Sequence, residues 1–293
     1  MSELFGTVAI VGIGHIGSSI ARRVKRDRLA RRVVALEAKS EHRAQALELG
    51  VVDAATGDAK EAVSDADLVI VCTPIGAYAE VGAAIAPHLK AGAIVSDVGS
   101  VKMAAVRDLG PAIPAHAHFV PGHPVAGTEH SGPAAGFPEL FEGRWWIFTP
   151  TPGTDAAAVD KMVALMTAFG SKIEIMDPAH HDQVLAITSH LPHLIAYTIV
   201  GTATDLEKTL QQEVIKFSAS GFRDFTRIAA SDPTMWRDVF LNNREAVLEV
   251  LQRFTEDLTA LQRAIRWGEG DKLFELFSRT RAIRRSIIDA KQA

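Results

Sequence analysis

The chain has 293 residues, 47% hydrophobic and 23% charged, which is enough apolar material for two globular domains without a metal or disulfide staple. Its 31 basic and 35 acidic residues leave a net charge of -4, which argues against a nucleic acid partner. The single cysteine excludes an internal disulfide.

The start of the chain and its hydropathy predict where the protein resides. The first apolar run, from Val8, leads straight into glycines and lacks the basic flank of a signal peptide, so it predicts a strand. No apolar stretch stands out as approaching the roughly 18 residues that a membrane-spanning helix needs. We therefore expect a cytoplasmic protein that contacts no membrane.

Short apolar segments alternate with helical patterns up to Asp177. This alternation predicts an α/β domain of the Rossmann type, with a parallel, doubly wound sheet, over residues 1–177. The predicted strands are Thr7–Val11, Arg32–Glu37, Asp67–Cys72, Ala93–Asp97, Phe119–Pro121, Trp145–Thr149 and Ile173–Met176.

The pattern changes after Asp177-Pro178, where no further strand is predicted. Apolar residues recur every three or four positions from Trp236 onward, which is typical of helices. Residues 178–293 are therefore predicted to form an all-helical domain for substrate binding and dimerisation. A helical half with this many apolar residues needs a surface to pack against, on the first domain, on a second subunit, or on both.

A glycine loop joins the first predicted strand to a helical pattern, and it reads Gly12-Ile13-Gly14-His15-Ile16-Gly17. In this context the motif predicts a dinucleotide site. Gly12 permits the tight turn, Gly14 lets the backbone approach a pyrophosphate, and Gly17 lets the helix pack on the strand. The free N–H groups at the helix N-terminus would bind the phosphates.

The second predicted strand ends at Glu37, where a carboxylate would accept both ribose hydroxyls of NAD and repel the extra phosphate of NADP. This favours NAD. Lys39, Ser40 and Arg43 follow directly and would hold that phosphate if Glu37 rotated away, so NADP stays open.

Two further strand ends would face the ligand, because ligands bind at the carboxyl ends of parallel strands. Thr73 and Pro74 follow one of them and would line the nicotinamide side.

Five later segments, in order, resemble the signature blocks of the prephenate/arogenate (cyclohexadienyl) dehydrogenase family, and the likeness covers nearly the whole chain. The segments are Asp97–Lys102, Gly122–Glu129, Ser189–His193, Gly221–Arg227 and Ser231–Arg237. The resemblance implies a homodimeric enzyme of tyrosine biosynthesis that oxidises prephenate or arogenate at ring C4 and expels CO2. The products would be 4-hydroxyphenylpyruvate or tyrosine, with hydride passing to NAD or NADP.

The resemblance also implies two catalytic residues. His123 matches the histidine that accepts the C4 hydroxyl proton, a role that suits a side chain with a pKa near about 6.5. Ser100 matches the serine that binds the C4 hydroxyl and orients this histidine. A helix N-cap before Val101 is the alternative role for Ser100.

Four more positions match substrate-binding residues. Arg227 would bind a substrate carboxylate through its planar fork, and which carboxylate stays open. His193 would lie at the mouth of the pocket. Arg223 and Glu129 would pair across the cleft.

The remaining histidines and aromatic residues carry weaker expectations. His190 lies one helical turn before His193, yet no H-E-x-x-H pattern accompanies them, so no metal is expected. His180 and His181 are expected at the surface. Trp236 and Phe222 would line the pocket or pack in the core.

Several alternatives stay open at this stage. The segment Ser218–Gly221 replaces a glycine-rich stretch of many family members, which leaves the choice between prephenate and arogenate undecided. Any inhibition by tyrosine should act in the active site. A 3-hydroxyacid or 6-phosphogluconate-type dehydrogenase is the alternative enzyme, and a dinucleotide-binding regulator without catalysis is the alternative outside enzymes.

Overall fold

The computed structural model describes residues 3–128, 130–205, 213, 216 and 219–289, and its first region is a parallel sheet. Six strands are found there in the described residues, in the order β3-β2-β1-β4-β5-β6. They are β1 (Phe5–Val11), β2 (Ala30–Leu36), β3 (Ala54–Thr56), β4 (Leu68–Val71), β5 (Ile94–Asp97) and β6 (His118–Val120). The predicted Rossmann-type fold is confirmed.

Helices cover both faces of this sheet, so its central strands read as continuous apolar runs. All four residues of β4 are buried. The helices between the strands are α1 (His15–Arg26), α2 (Ser40–Glu48), α3 (Ala59–Val63), α4 (Tyr78–Ile85) and α5 (Lys102–Asp108).

A second, three-stranded sheet follows, made of β7 (Gly122–Pro124), β8 (Trp145–Phe148) and β9 (Lys172–Ile175). Strand β7 pairs antiparallel with β8, and β9 pairs parallel with β8. Helix α6 (Ala156–Ala168) connects β8 to β9. The sequence predicted both β8 and β9 as strands, but it placed them in the doubly wound sheet. Pro121 separates β6 from β7 and has no N–H for a sheet ladder, which is consistent with the change of sheet at this point.

The described chain after Ile175 is helical, as predicted. It forms α7 (Pro178–Leu185), a π-helical segment (Ala186–His190), α8 (Leu191–Thr204), α9 (Ser220–Thr226), α10 (Pro233–Asn242), α11 (Arg244–Trp267) and α12 (Gly270–Asp289). Both α7 and α10 start with proline after an aspartate whose carboxylate accepts N–H bonds of the first turn. Pro192 lies in the first turn of α8.

One stretch of helix corrects the expectation about membrane spans. Pro178–Thr204 is long and apolar enough to cross a membrane, with a mean hydropathy of 1.4 in its most apolar window. Length and composition alone do not distinguish a core helix from a spanning helix. This helix carries His181, Asp182 and His190, all buried among protein groups.

The chain divides into two compact units, residues 1–244 and 245–293. Every residue of the site described below belongs to the first unit. The predicted boundary between residues 177 and 178 stays a prediction. The second unit exposes large apolar side chains, namely Leu248, Leu258, Ile265, Trp267, Phe274, Phe277 and Ile283.

Candidate active site

The glycine loop after β1 has the geometry that its sequence predicts. Gly12 has a φ of 90°, and a Cβ there would lie 3.1 Å from the main-chain carbon of Cys72. A Cβ on Gly17 would lie 2.2 Å from the Gly12 oxygen, so α1 packs too closely for any side chain. A Cβ on Gly14 would meet nothing within 4 Å. The backbone at Gly14 is therefore open to a ligand.

Two more features fit a dinucleotide at this loop. Helix α1 has no acidic residue in its first turn, and its N-cap, Gly14, provides no side-chain hydrogen bond. The N–H groups there suit a phosphate. Within the described residues, the buried Thr73 hydroxyl has no hydrogen-bond partner, although buried polar atoms normally have one. A nicotinamide carboxamide would supply that partner.

Glu37 directly follows β2, and its carboxylate is held against the glycine loop. One oxygen accepts the N–H of Ile13 at 3.1 Å, and the other accepts the N–H of Lys39 at 2.9 Å. The guanidinium of Arg43 donates to the main-chain oxygens of Glu37 and Ala38, at 2.7 and 2.8 Å. The carboxylate is therefore held between the glycine loop and Lys39, and its role in binding a ribose stays a prediction.

The side chains of Ile13, His15 and Ile16 in the glycine loop contact other parts of the protein. Ile13 is fully buried in the core, and Ile16 packs against it. The Nδ1 atom of His15 lies 3.0 Å from the Ala135 oxygen, and burial lowers the pKa of His15. The role of Ile13, His15 and Ile16 in binding a dinucleotide stays a prediction.

His123 lies on β7, only 8% exposed, at one end of a chain of hydrogen bonds. Its Nδ1 is 2.9 Å from Nε2 of His181, and Nδ1 of His181 is 2.8 Å from the Asp182 carboxylate. Because the carboxylate accepts, His181 carries its proton on Nδ1 and accepts on Nε2. His123 therefore donates through Nδ1, which leaves its own Nε2 as a proton acceptor.

The far end of this chain is anchored on α5. The two Asp182 carboxylate oxygens accept the N–H groups of Lys102 at 2.7 Å and Met103 at 2.9 Å. A helix N-terminus favours a negative charge, so this position stabilises the ionised carboxylate. His181 was expected at the surface, and this was wrong, because it is fully buried. His180 is exposed as expected.

Burial decides the charge state of the histidine pair. Desolvation, with smaller contributions from the positive charges of His181 and Lys102, lowers the pKa of His123 well below its ordinary value. Desolvation also lowers the pKa of His181, against the opposing effect of Asp182. His123 is therefore a neutral imidazole at neutral pH, the form that accepts a proton.

Ser100 lies between β5 and α5 and is partly exposed. Within the described residues its hydroxyl has no hydrogen-bond partner. The alternative role as N-cap of α5 is wrong, because Val101 is at the cap position and Asp182 binds the first N–H groups of the helix.

His193 stacks on Trp236, with ring centroids 3.6 Å apart and an angle of 22° between the rings. Desolvation lowers the pKa of His193, and the positive charge of Arg227 lowers it further. Arg227 itself is exposed and begins a 3-10 turn, Arg227–Ala230, which packs against α8, the helix that carries His193.

The other two predicted substrate residues are Arg223 and Glu129. Arg223 is exposed on α9, and Phe222 beside it is partly buried. Glu129 lies outside the described residues, so its pairing with Arg223 stays a prediction.

Several residues of this region carry no local sequence signal. Asn243 donates to His190 at 3.0 Å and to the Asp182 main-chain oxygen at 2.8 Å. Burial lowers the pKa of His190 to about 4. Among the described residues there is no group of three or more metal-ligating side chains. The partners of His123 were missed because His181 is 58 positions away in the chain.

Comparisons with known proteins agree with the resemblance. The model of the prephenate dehydrogenase nucleotide-binding domain matches residues 20–175, and that of the prephenate dehydrogenase dimerization domain matches residues 177–279. A cyclohexadienyl dehydrogenase of Zymomonas mobilis is 44% identical over 287 residues, 97% of each chain.

Solved structures are similar over most of their length. The prephenate dehydrogenase of A. aeolicus, in complex with hydroxyphenyl propionate and NAD+, has a TM-score of 0.89 at 33% identity, covering 98% of this chain and 99% of that chain. The arogenate dehydrogenase of Synechocystis has a TM-score of 0.79 at 28% identity, covering 96% and 99%.

Proposed function

Since the chain belongs to the prephenate dehydrogenase family, we propose that it oxidises and decarboxylates prephenate, arogenate or both in tyrosine biosynthesis. The substrate loses a hydride from C4 and its ring carboxylate as CO2, while the proton of the C4 hydroxyl passes to the base and returns to the phenolate oxygen once the ring is aromatic. The products are 4-hydroxyphenylpyruvate or tyrosine. The observation that carries the proposal is the buried chain from His123 through His181 to Asp182.

His123 is the general base of this proposal. Its Nε2 takes the C4 hydroxyl proton while the bound nicotinamide supplies the hydride acceptor. As His123 becomes positive, the carboxylate of Asp182 stabilises the charge through His181. Ser100 binds the C4 hydroxyl with its unpartnered hydroxyl group and orients it toward His123.

Arg227 binds a substrate carboxylate, and His193 lies at the mouth of the pocket against Trp236. Two observations support this assignment: the stack of His193 on Trp236, and the effect of the Arg227 charge on the His193 pKa. Arg223 and Glu129 shape the mouth in the same proposal. Tyrosine, as a product or a product mimic, is proposed to inhibit in this site.

NAD is the proposed cofactor in preference to NADP. The Glu37 carboxylate accepts two backbone N–H bonds, which oppose the rotation that a 2′-phosphate would require. The Arg43 guanidinium is bound to main-chain oxygens, and Lys39 contacts the Glu37 carboxylate through its backbone N–H. Thr73 and Pro74 line the nicotinamide side. The structure of the A. aeolicus relative contains NAD+.

A cytoplasmic homodimer is the proposed form of the protein, without a nucleic acid or membrane partner. The match to a dimerization domain and the exposed apolar side chains of α11 and α12 support a dimer. The 3-hydroxyacid or 6-phosphogluconate-type alternative is not favoured, because the 44% identical relative is a cyclohexadienyl dehydrogenase.

The test is NAD(P)H formation at 340 nm, with prephenate or arogenate against NAD or NADP. One combination at least is expected to turn over, and His123→Asn is expected to abolish it. His180→Asn is the matched control, since His180 is exposed and lies beside His181. The proposal fails if folded, cofactor-binding protein turns over no combination.

A further inference from the structure

Asp97 ends β5, and its fully buried carboxylate receives four hydrogen bonds. One oxygen accepts the N–H of Gly122 at 3.1 Å. The other accepts the Tyr78 hydroxyl at 2.9 Å, the N–H of Gly99 at 2.9 Å and the ammonium of Lys102. These bonds satisfy the buried charge and hold the carboxylate in place.

The two backbone groups that Asp97 binds belong to two different segments, the loop after β5 and strand β7. Gly99 precedes Ser100, and Gly122 precedes His123. The Lys102 ammonium strengthens the same link, because it also donates to the Gly122 oxygen at 2.5 Å. One side chain therefore ties the serine loop to the histidine strand.

The packing around Asp97 leaves no room for a side chain at Gly99 or Gly122. A Cβ on Gly99 would lie 2.5 Å from the Tyr78 hydroxyl and 3.0 Å from the Asp97 carboxylate. A Cβ on Gly122 would lie 2.9 Å from the indole nitrogen of Trp146. The backbone therefore packs closely on both sides of the carboxylate.

We propose that Asp97 is a positioning residue, which sets the separation of Ser100 and His123, and that the Tyr78 hydroxyl holds its carboxylate in place. This inference rests on the proposed function of Ser100 and His123. Neither Asp97 nor Tyr78 needs to touch the substrate. Both act through the backbone of the residues beside the reacting groups.

The chain offers a control with the same bonding pattern in Asp67. Its carboxylate also accepts two backbone N–H bonds, from Gly6 at 2.7 Å and Thr7 at 2.9 Å, and pairs with a lysine, Lys90. Asp67 directly precedes β4, at the opposite edge of the sheet from the candidate site. Loss of Asp67 therefore tests the stabilising effect of the bonding pattern without the positioning.

The experiment compares Asp97→Asn with Asp67→Asn in kcat, KM, the equilibrium Kd for NADH and Tm. We expect Asp97→Asn to lower kcat by about 100-fold, as for loss of a bond to a charged group that acts on two reacting residues. Its NADH Kd should stay within about threefold of the wild type. Asp67→Asn should lower Tm and leave kcat unchanged. Equal kcat values for both variants would overturn the proposal.

Tyr78→Phe tests the same point without leaving Lys102 unpaired, so it remains decisive if Asp97→Asn does not fold. It removes one donor to Asp97 and should lower kcat by about tenfold, with KM for NAD unchanged. A Tyr78→Phe enzyme with wild-type kcat would refute the role of the hydroxyl and, where Asp97→Asn does not fold, the positioning role itself.

A separate readout distinguishes failure of this inference from failure of the proposed function. If the wild type turns over no substrate, the proposed function fails. The imidazole NMR signal of His123, identified by its loss in His123→Asn, still reports positioning. It should shift in Tyr78→Phe and stay in place in Asp67→Asn, and an unshifted signal in Tyr78→Phe contradicts the inference.

Discussion

The two edges of the parallel sheet each carry an aspartate bound by two backbone amides and one lysine, but in very different surroundings. At the amino edge, where the parallel strands begin, the side chains of Asp67 and Lys90 are 33% and 39% exposed. At the carboxyl edge, those of Asp97 and Lys102 are 0% exposed. Strands of a parallel sheet present their carboxyl ends to the ligand, so only the second pair lies beside the glycine loop and His123.

This difference teaches that a bonding pattern does not by itself define a role. The amides that Asp67 binds begin β1, and their loss affects the fold alone. The amides that Asp97 binds adjoin Ser100 and His123, so the same chemistry there affects the candidate site. We therefore expect substitutions at the carboxyl edge to change rates or binding, and those at the amino edge to change stability.

The largest effect is expected for His123→Asn at the carboxyl edge. Loss of a general base should lower kcat on the order of 10³-fold, while the Kd for NADH stays unchanged. Stopped-flow measurement of NADH formation and equilibrium fluorescence titration would separate the two. A variant that retained a tenth of the wild-type rate would exclude His123 as the base.

The next largest effect is expected for His181→Asn. Without His181, the His123 ring loses the partner that fixes its tautomer, so kcat should fall by about 100-fold. The single-turnover rate measures this, and His180→Asn provides the control on the same helix. Equal rates for the two variants would contradict the role of the hydrogen bonds that link His123 through His181 to Asp182.

Glu37→Ala should change cofactor selectivity by about tenfold or more, because it removes a charged acceptor of the ribose hydroxyls. The Kd for NAD should rise and that for NADP should fall, as measured by calorimetry. Glu48→Ala, exposed at the other end of α2, is the control. An unchanged ratio of the two Kd values would remove Glu37 as the selectivity residue.

The pH dependence of kcat/KM should show the buried base. Because burial lowers the pKa of His123, the neutral form persists below the ordinary histidine value near 6.5. The profile should therefore stay flat down to about pH 6.5 and fall about tenfold per pH unit only below the pKa of the base. A limb above pH 7 would show that a different group titrates.

The smallest effect is expected for Asp67→Asn at the amino edge. Burial alone would raise the Asp67 pKa, but the bonds from Lys90, Thr7 and Gly6 outweigh it and lower the pKa. A carboxyl group with a lowered pKa stabilises the fold at pH values above its unfolded pKa of about 3.9. This stabilisation is lost as the pH falls through the folded pKa.

Because this pair is partly exposed, the loss in Asp67→Asn should be about 1 kcal/mol at pH 7, or roughly 2–4 °C in Tm. Calorimetry should show that the difference from the wild type shrinks below about pH 4. A difference that was as large at about pH 3 as at about pH 7 would show that the ionised carboxylate is not the cause.

The sequence by itself determined the features that depend on neighbours in the chain. Glycines at 12 and 17 specify the turn before α1, because larger residues do not fit there, and Gly14 leaves the backbone open to a ligand. Aspartate followed by proline starts both α7 and α10, because the carboxylate caps the first turn and proline needs no N–H there. Continuous apolar runs predicted the buried strands, and the signature blocks indicated the family.

Only the tertiary structure decided the features that depend on distant partners. Asp182 binds the N-terminus of α5 across 80 positions and takes the capping role that was the alternative for Ser100. His181, expected at the surface, is buried against His123. Strands β8 and β9 form a sheet of their own. Periodicity and local motifs record which face of an element is apolar, but the choice between buried partners depends on packing between elements, which no local pattern encodes.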